Sequence, residues 1–181
     1  MLSDVEDKMN NTEIKAEVSV TPGQLYRFNL YHCYCNSTNG VFGILLGVVC
    51  LLYAIGFKSA LGSTNTIVII GLGIIFLIYN PLSLYVRSKS RYMTNDALKK
   101  PMNYLFDDKG FILSQGDVSE DMEWADLYKV VETKECLYFF FTKMHANIVP
   151  KEAFGDRIDE IYALVSANIS KKANKLKKEH R

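Results

Sequence analysis

The side chains best suited to metal chemistry in this sequence lie close together, at His32, Cys33 and Cys35. Thiolate and imidazole groups bind Zn²⁺ when four ligands converge on one point. Residues two apart on a helix point about 200° apart, because each residue turns the helix by about 100°. Cys33 and Cys35 therefore cannot readily share an ion there, and His145 and His180 are the only other imidazoles. The sequence predicts no metal site and no cofactor.

Motifs of known catalytic chemistry are missing from the sequence. It contains no phosphate-binding glycine loop, dinucleotide fingerprint, nucleophile elbow or zinc-binding helix motif. Adjacent acids occur at Asp107-Asp108 and Glu120-Asp121, in predicted turns or exposed strand positions, where solvated charge is the simplest explanation. We therefore expect no catalytic residues and a protein that is not an enzyme.

The single tryptophan, Trp124, is predicted at the end of a strand and before a turn. Its large aromatic surface suits two roles, packing in the core of a sheet or contact with a ligand or partner. Core packing is the favoured interpretation, and partner contact by Trp124 stays open as the alternative.

Two long apolar runs occupy the middle of the chain. Val41–Phe57 and Thr66–Val86 contain no charged side chain. A helix that spans a hydrocarbon core of about 30 Å needs about 20 such residues. Soluble helices usually show one polar face, and these runs show none. The sequence therefore predicts a transmembrane helical hairpin over residues 37–87, with helices at about 39–57 and 66–86.

The charges around the two runs predict the orientation of the hairpin. The short polar connection Lys58–Asn65 holds one lysine, whereas Arg27 precedes the first run and several basic residues follow the second. Basic residues near the ends of membrane helices mark the cytoplasmic side. We therefore expect a multi-pass protein of the cell membrane with both termini in the cytoplasm. The residues expected at the membrane interface are Arg87, Lys89 and Arg91.

Glycines in both predicted helices indicate close helix packing. Gly43 and Gly47 are four residues apart, a spacing that lets two helix backbones approach each other. The second helix carries Gly71 and Gly73. Packing of these glycines within one chain is the favoured interpretation. The alternative is packing against another copy, as a homo-oligomer, or against a larger membrane partner.

The segment before the hairpin is predicted as a strand followed by a helix. Residues 1–12 are acidic, lack an apolar run and are expected to be disordered. Residues 13–20 alternate apolar with polar side chains, as in a strand with one buried face. Thr21 and Gln24 have the spacing of a capping box. Residues 13–36 are thus expected to form a cytoplasmic strand and an interfacial helix.

The chain after the hairpin is predicted as a series of strands. Six strand-like segments follow one another between residues 102 and 150, about ten residues apart and separated by tight turns. The turn Asp107–Gly110 is expected to hold its glycine in the left-handed conformation. Leu137–Phe141 is apolar on both faces. It is therefore expected to be a central strand, covered on both sides.

A basic C-terminal helix is predicted to close this sheet, because apolar residues recur at helical spacing from Ile158 to Leu176. The lysine-rich tail from Lys171 either attracts anionic lipid or is a solvated helix end whose cations complement the helix dipole. The expected fold is an α+β membrane protein, a two-helix transmembrane hairpin plus an antiparallel pleckstrin-homology-like sheet or barrel. Residues 92–181 form the cytoplasmic domain, and the strand at 13–20 is expected to add to its sheet.

Several segments resemble the YcxB-like family of small bacterial membrane proteins. They are Thr21-Pro22, Leu25–Asn29, Tyr79–Tyr85, Trp124–Thr133 and Ile148–Phe154, and together they span residues 13–165. The resemblance implies two membrane helices and a pleckstrin-homology-like C-terminal domain. It implies no reaction and no catalytic residues.

A binding role follows from these expectations. We expect a membrane-anchored cytoplasmic interaction module that contacts membrane lipid and binds a protein partner or a lipid headgroup. The alternative is an accessory subunit of a membrane transport or efflux assembly, contacted through the Gly43 and Gly47 face. The net charge of +1 gives no reason to expect a nucleic acid partner.

Overall fold

The computed structural model describes residues 13–36 and 38–180, which form two compact units. The sheet unit contains residues 13–24 and 95–180, and the helical unit contains residues 25–36 and 38–94. The helical unit is thus inserted into the sheet unit along the chain. Residues 1–12, expected to be disordered, lie outside the described residues.

Four antiparallel strands form the first sheet of the sheet unit. They are β1 (Ile14–Val18), β2 (Met102–Phe106), β3 (Gly110–Gln115) and β4 (Val118–Glu123), in that spatial order. Val18 lies opposite Met102, so β1 and β2 are neighbours although the helical unit separates them in the chain. Alternate residues of β1 are buried, as its period of two predicts. The expected addition of this strand to the C-terminal sheet is confirmed.

The second sheet combines three antiparallel strands with one parallel strand. It contains β5 (Lys129–Glu132), β6 (Cys136–Phe140), β7 (Ala146–Pro150) and β8 (Asn174–Lys175), in the order β7-β6-β5-β8. All five residues of β6 are buried, as expected for a central strand. β8 runs parallel to β5, and among the described strands it pairs with no other. Within residues 13–36 and 38–180 the two sheets stay separate, and no closed barrel forms.

Aromatic side chains from both sheets meet in one core. The ring centroid of Phe139 on β6 lies 5.6 Å from that of Phe106 and 5.5 Å from that of Phe111. Tyr104 stacks on Phe106 from the same face of β2. Aromatic pairs at such distances contribute about 0.5–1.5 kcal/mol each beyond the area they bury. This core holds the two sheets together.

The turn between β2 and β3 closes in a different way from the one predicted. The backbone of Gly110 is not in the left-handed conformation. The glycine that adopts it is Gly116, in the next turn, between β3 and β4, with φ of 60°. Asp107 closes the turn instead, since its Oδ1 accepts the backbone N–H of Lys109 and of Gly110, both at 2.8 Å. Gly110 is required for space, because a Cβ there would collide with the carbonyl of Met122 on β4.

Three helices connect β1 to β2. They are α1 (Pro22–Tyr31), which continues into a π-helical turn over His32–Asn36, α2 (Thr38–Gly56) and α3 (Lys58–Thr94). The predicted capping box begins α1. The backbone N–H of Thr21 donates to Gln24 Oε1 at 2.8 Å, and the N–H of Gln24 donates to Thr21 Oγ1 at 3.3 Å. The sequence therefore located the start of this helix correctly.

The connection and the end of α3 differ from the prediction. The predicted loop Lys58–Asn65 is helical apart from Gly62, whose φ of 73° and ψ of 163° break the helix. α3 then continues through Pro81 and ends at Thr94, beyond the predicted end at Val86. The apolar run ends at Val86, but the helix does not, because charged and polar residues continue a helix as readily as apolar ones.

The C-terminal helix is shorter than predicted. α4 spans Ile158–Asn168, where the N–H of Ile169 donates to the carbonyl of Val165. The lysine-rich tail is not a helix end, because it turns back and forms β8 beside β5. Asn174 and Leu176 are buried while Lys175 and Lys177 are exposed, so this segment has a strand period of two. The helical spacing of Ile169 and Leu176 was misleading for this reason.

Candidate functional site

The apolar side chains of α2 and α3 are exposed and do not pack in a core. In the most apolar 18-residue stretch of α3, only 6% of the stretch is buried in the protein. The most exposed large side chains on the two helices include Phe42, Leu45, Leu52, Ile55, Ile67 and Ile75. A core helix of a soluble protein would bury such residues. This continuous apolar surface is the strongest functional feature of the helical unit.

Within the described residues, α3 is the helix that is long and apolar enough to cross a membrane. By the same test of length and composition, a second span is counted only when Pro22–Cys35 and Gly40–Gly56 are taken together, and these two pieces are bent by 71°. Length and composition therefore support one candidate membrane helix directly.

Two glycines meet where α2 packs against α3. A Cβ on Gly47 would lie 2.8 Å from Leu77 Cγ and 3.0 Å from the carbonyl oxygen of Gly73. A Cβ on Gly73 would in turn lie 3.1 Å from the carbonyl oxygen of Gly47. Gly43 faces the amide of Asn80, whereas no atom lies within 4 Å of a Cβ on Gly71. The contact thus involves Gly47, Gly73 and Gly43, and Gly71 lies away from it.

Replacing Gly47 with Ile is expected to destabilise the packing of α2 on α3. Overpacking of a tight contact costs roughly 1–3 kcal/mol, and here the neighbouring atom includes a backbone carbonyl that cannot rotate away. The matched control is Gly71→Ile, because no atom lies within 4 Å of a Cβ at that position. Thermal unfolding of the detergent-purified full chain measures both variants. Equal melting temperatures for the two would contradict the packing role of Gly47.

The basic end of α3 is held by α1. The amide Nδ2 of Asn29 donates to Ser88 Oγ at 2.8 Å, and Ser88 Oγ donates to the carbonyl of Leu84 at 2.7 Å. The rings of Tyr26 and Tyr85 meet edge to face at 5.4 Å. Because Asn29 and Ser88 are 59 residues apart, no local sequence pattern indicates this contact.

The predicted interface residues all point away from that contact. Arg87, Lys89 and Arg91 are exposed, while Ser88 between them is buried. Arg87 and Arg91 are four residues apart and share one side of the helix, and Lys89 lies on another. Three exposed cationic side chains therefore follow the apolar part of α3, on two sides of the helix.

Trp124 is a core residue of the sheet unit. Its side chain is 4% exposed, and its indole Nε1–H donates to the carbonyl of Asp107 at 2.9 Å. The ring packs against Phe106, Phe111 and Phe139. The partner contact considered for Trp124 is not retained, because the side chain has no surface to offer.

A buried carboxylate that sequence reasoning missed joins four parts of the sheet unit. The side chain of Glu132, at the end of β5, is 0% exposed. Its Oε1 accepts Lys151 Nζ at 2.6 Å and the hydroxyl of Tyr162 on α4 at 3.2 Å. Its Oε2 accepts the backbone N–H of Lys177 at 2.9 Å. Glu132 therefore connects β5, the residue after β7, α4 and the C-terminal tail.

The tail also places a fourth group beside this carboxylate. The ring of His180 stacks on that of Tyr162 with centroids 4.2 Å apart, and its Nε2 lies 3.8 Å from Glu132 Oε1. A buried carboxylate is stable only when donors and cations compensate it. The sequence signal for this cluster was weak: an acid, Glu132, at the end of one strand and a lysine, Lys151, directly after another.

The electrostatics of this cluster keep Glu132 ionised. Burial alone would raise its pKa, but the hydrogen bonds from Lys151 and Lys177 and the charges of Lys151 and His180 lower the pKa below its ordinary value. Burial would likewise lower the pKa of Lys151, and its hydrogen bond to Glu132 raises it instead. A carboxylate in this state is a structural anion and not a proton donor near neutral pH.

Metal-binding clusters of three or more His, Cys, Asp or Glu residues do not occur in the described part of the chain. Cys33 is partly buried in the π-helical turn, Cys35 is exposed there, and neither forms a disulfide.

Residues 106–165 match the model of the family described as YcxB-like protein. The match includes Glu132, Lys151 and Tyr162, and ends before the tail that completes their cluster. The family-like segments Thr21–Asn29 and Tyr79–Tyr85 lie outside the matched residues. Neither a curated protein nor a solved structure was found to match the chain.

Proposed function

We propose that this protein is a membrane-anchored interaction module, in which a two-helix hairpin holds a sheet domain at the cytoplasmic face of the cell membrane. The observation that carries the proposal is the exposed apolar surface of α2 and α3 within a unit inserted between two paired strands. Exposure of apolar surface to water costs a free energy of about 25 cal/mol for each Å². Lipid removes that cost.

The dimensions of the helices support a hairpin of two spans. The 19 residues of α2 extend over about 28 Å at about 1.5 Å per residue, close to a hydrocarbon core of about 30 Å. The contact between Gly47 and Gly73 supports two antiparallel helices packed within one chain. The basic residues Arg87, Lys89 and Arg91 support an orientation with both termini in the cytoplasm.

The order of elements in the sheet unit supports a pleckstrin-homology-like domain. Four antiparallel strands are followed by three more and then by α4. The buried Glu132 is saturated by partners from its own domain, which favours binding over catalysis as the role of this unit. A protein partner or a lipid headgroup is the proposed ligand class.

The accessory-subunit alternative depended on a free Gly43 and Gly47 face. That face is occupied by Leu77, Gly73 and Asn80 of the same chain. We therefore do not carry the transport-assembly alternative forward.

Site-specific labelling in cells tests the proposal. In a chain whose native cysteines are replaced, Ser59→Cys reports on the connection between the helices and Asp108→Cys on the β2–β3 turn, both exposed. A membrane-impermeant maleimide is expected to label Ser59→Cys in intact cells and Asp108→Cys only after permeabilisation. Labelling of both positions in intact cells, or release of the protein by alkaline carbonate, would overturn the hairpin.

A further inference from the structure

The C-terminal strap, residues 170–180, is anchored to the sheet unit while four of its lysines face solvent. Asn174 and Leu176 are buried, and β8 pairs with β5. The N–H of Val130 donates to the carbonyl of Ala173 at 3.1 Å, and the N–H of Lys177 donates to the buried Glu132. The strap is therefore an ordered surface, so little conformational entropy is lost when it meets a ligand.

Four exposed lysines lie within seven residues of the strap. They are Lys171, Lys172, Lys175 and Lys177. Their backbone positions are set by the paired strand and by the two buried side chains between them. The strap thus presents a cationic patch of fixed position.

The charge of the sheet unit is strongly asymmetric. Residues 13–24 and 95–169 hold nine Lys and Arg against sixteen Asp and Glu, whereas residues 170–181 hold six against one. An anionic surface repels the body of this domain and attracts the strap. Such a distribution orients a protein as it approaches a charged surface.

We infer that the strap binds the anionic lipid surface of the membrane that holds the hairpin, and thereby orients the sheet domain on it. The inference rests on the proposed function, because the anchor supplies the nearby bilayer. A lysine near an anionic membrane surface strengthens association about fivefold. Lipid is favoured over nucleic acid because the anchor keeps the strap beside the bilayer, and the acidic body opposes binding to a polyanion in solution.

Energy transfer from the single tryptophan tests this inference in the full chain. Trp124 lies in the core of the sheet unit, so its emission reports the distance from that domain to dansyl-labelled headgroups. The protein is reconstituted into phosphatidylcholine vesicles, with or without phosphatidylglycerol. Transfer is expected to increase when the anionic lipid is present, and the increase is expected to disappear at high salt, which screens surface charge.

Matched charge reversals assign the effect to the strap. Lys171→Glu with Lys175→Glu removes two strap cations, and Lys15→Glu with Lys109→Glu changes the net charge equally elsewhere on exposed positions. The strap variant is expected to shift the ratio of bound to free domains by about 25-fold or more. It would therefore lose the anionic increment, which the control variant keeps.

The outcomes separate this inference from the proposed function. Failure of the protein to float with phosphatidylcholine vesicles overturns the membrane anchor itself. Flotation with both lipids, but equal transfer in both or equal loss in the two variants, overturns the strap inference alone. Tighter retention of the protein on duplex DNA than on anionic vesicles at the same salt would also overturn it.

Discussion

A chain in which Asn-Gly replaces residues 21–100 is expected to fold in plain buffer as a monomeric sheet domain. β1 and β2 are hydrogen-bonded neighbours, with Val18 opposite Met102. The helical unit therefore leaves and re-enters the sheet at adjacent strand ends, which a short hairpin loop containing Asn-Gly can join. Size-exclusion chromatography without detergent and amide chemical-shift dispersion measure the result.

The matched control is residues 101–180 without β1. This fragment loses Ile14 and Val18, both 0% exposed, and leaves the apolar strand β2 as an open edge. Burial of each such side chain contributes about 1.5–3 kcal/mol, and a whole domain has only about 5–15 kcal/mol. We expect this fragment to aggregate, because open edges pair with other chains. Equal melting of the fragment and the joined chain would show that β1 is dispensable.

The second large effect is expected from Glu132→Ala. Removal of this carboxylate leaves the Lys151 ammonium without its anion, and leaves the Tyr162 hydroxyl and the Lys177 N–H without an acceptor. Breaking a buried ion pair by removing one partner costs about 3–5 kcal/mol. Thermal unfolding of the full chain, or of the sheet domain joined by Asn-Gly, measures this loss of stability.

Glu160→Ala is the matched control, since Glu160 on α4 forms an exposed pair with Arg157, the residue before that helix. Its melting temperature is expected to change little, because exposed ion pairs are weak. Equal melting temperatures for Glu132→Ala and Glu160→Ala would exclude an anchoring role for the buried carboxylate. Release of the strap, measured by amide exchange at Leu176, is expected only for the Glu132 variant.

The pH dependence of the same variant follows from the direction of the pKa shift. The pKa of Glu132 is lower in the folded protein than its ordinary value, about 4.3 for a glutamate. Its contribution to stability is fully present above that ordinary value and is lost as the pH falls through the lower, folded pKa. The stability difference between the parent and Glu132→Ala is therefore expected to shrink in acid below about pH 4.

Local patterns determined much of the sheet unit. Six strands between residues 102 and 150 follow from period-two alternation and turn residues, and β6 follows from its apolar residues on both faces. The capping box at Thr21 and Gln24 located the start of α1. These features depend on residues within about one turn or one strand of each other, so the sequence alone contains them. The apolar runs likewise predicted where the exposed apolar helices lie.

Contacts between distant residues were decided only by the tertiary structure. The helical spacing of Leu176 with Ile169 also fits a strand, and the pairing of β8 with β5 selects the strand. Asn29 meets Ser88 and Glu132 meets Lys151 across long separations in the chain. A glycine is required at position 110 because a Cβ there would collide with Met122 on another strand, and not because of its own φ. Periodicity reports which side of a segment is apolar, but it carries no information about the partner that covers that side.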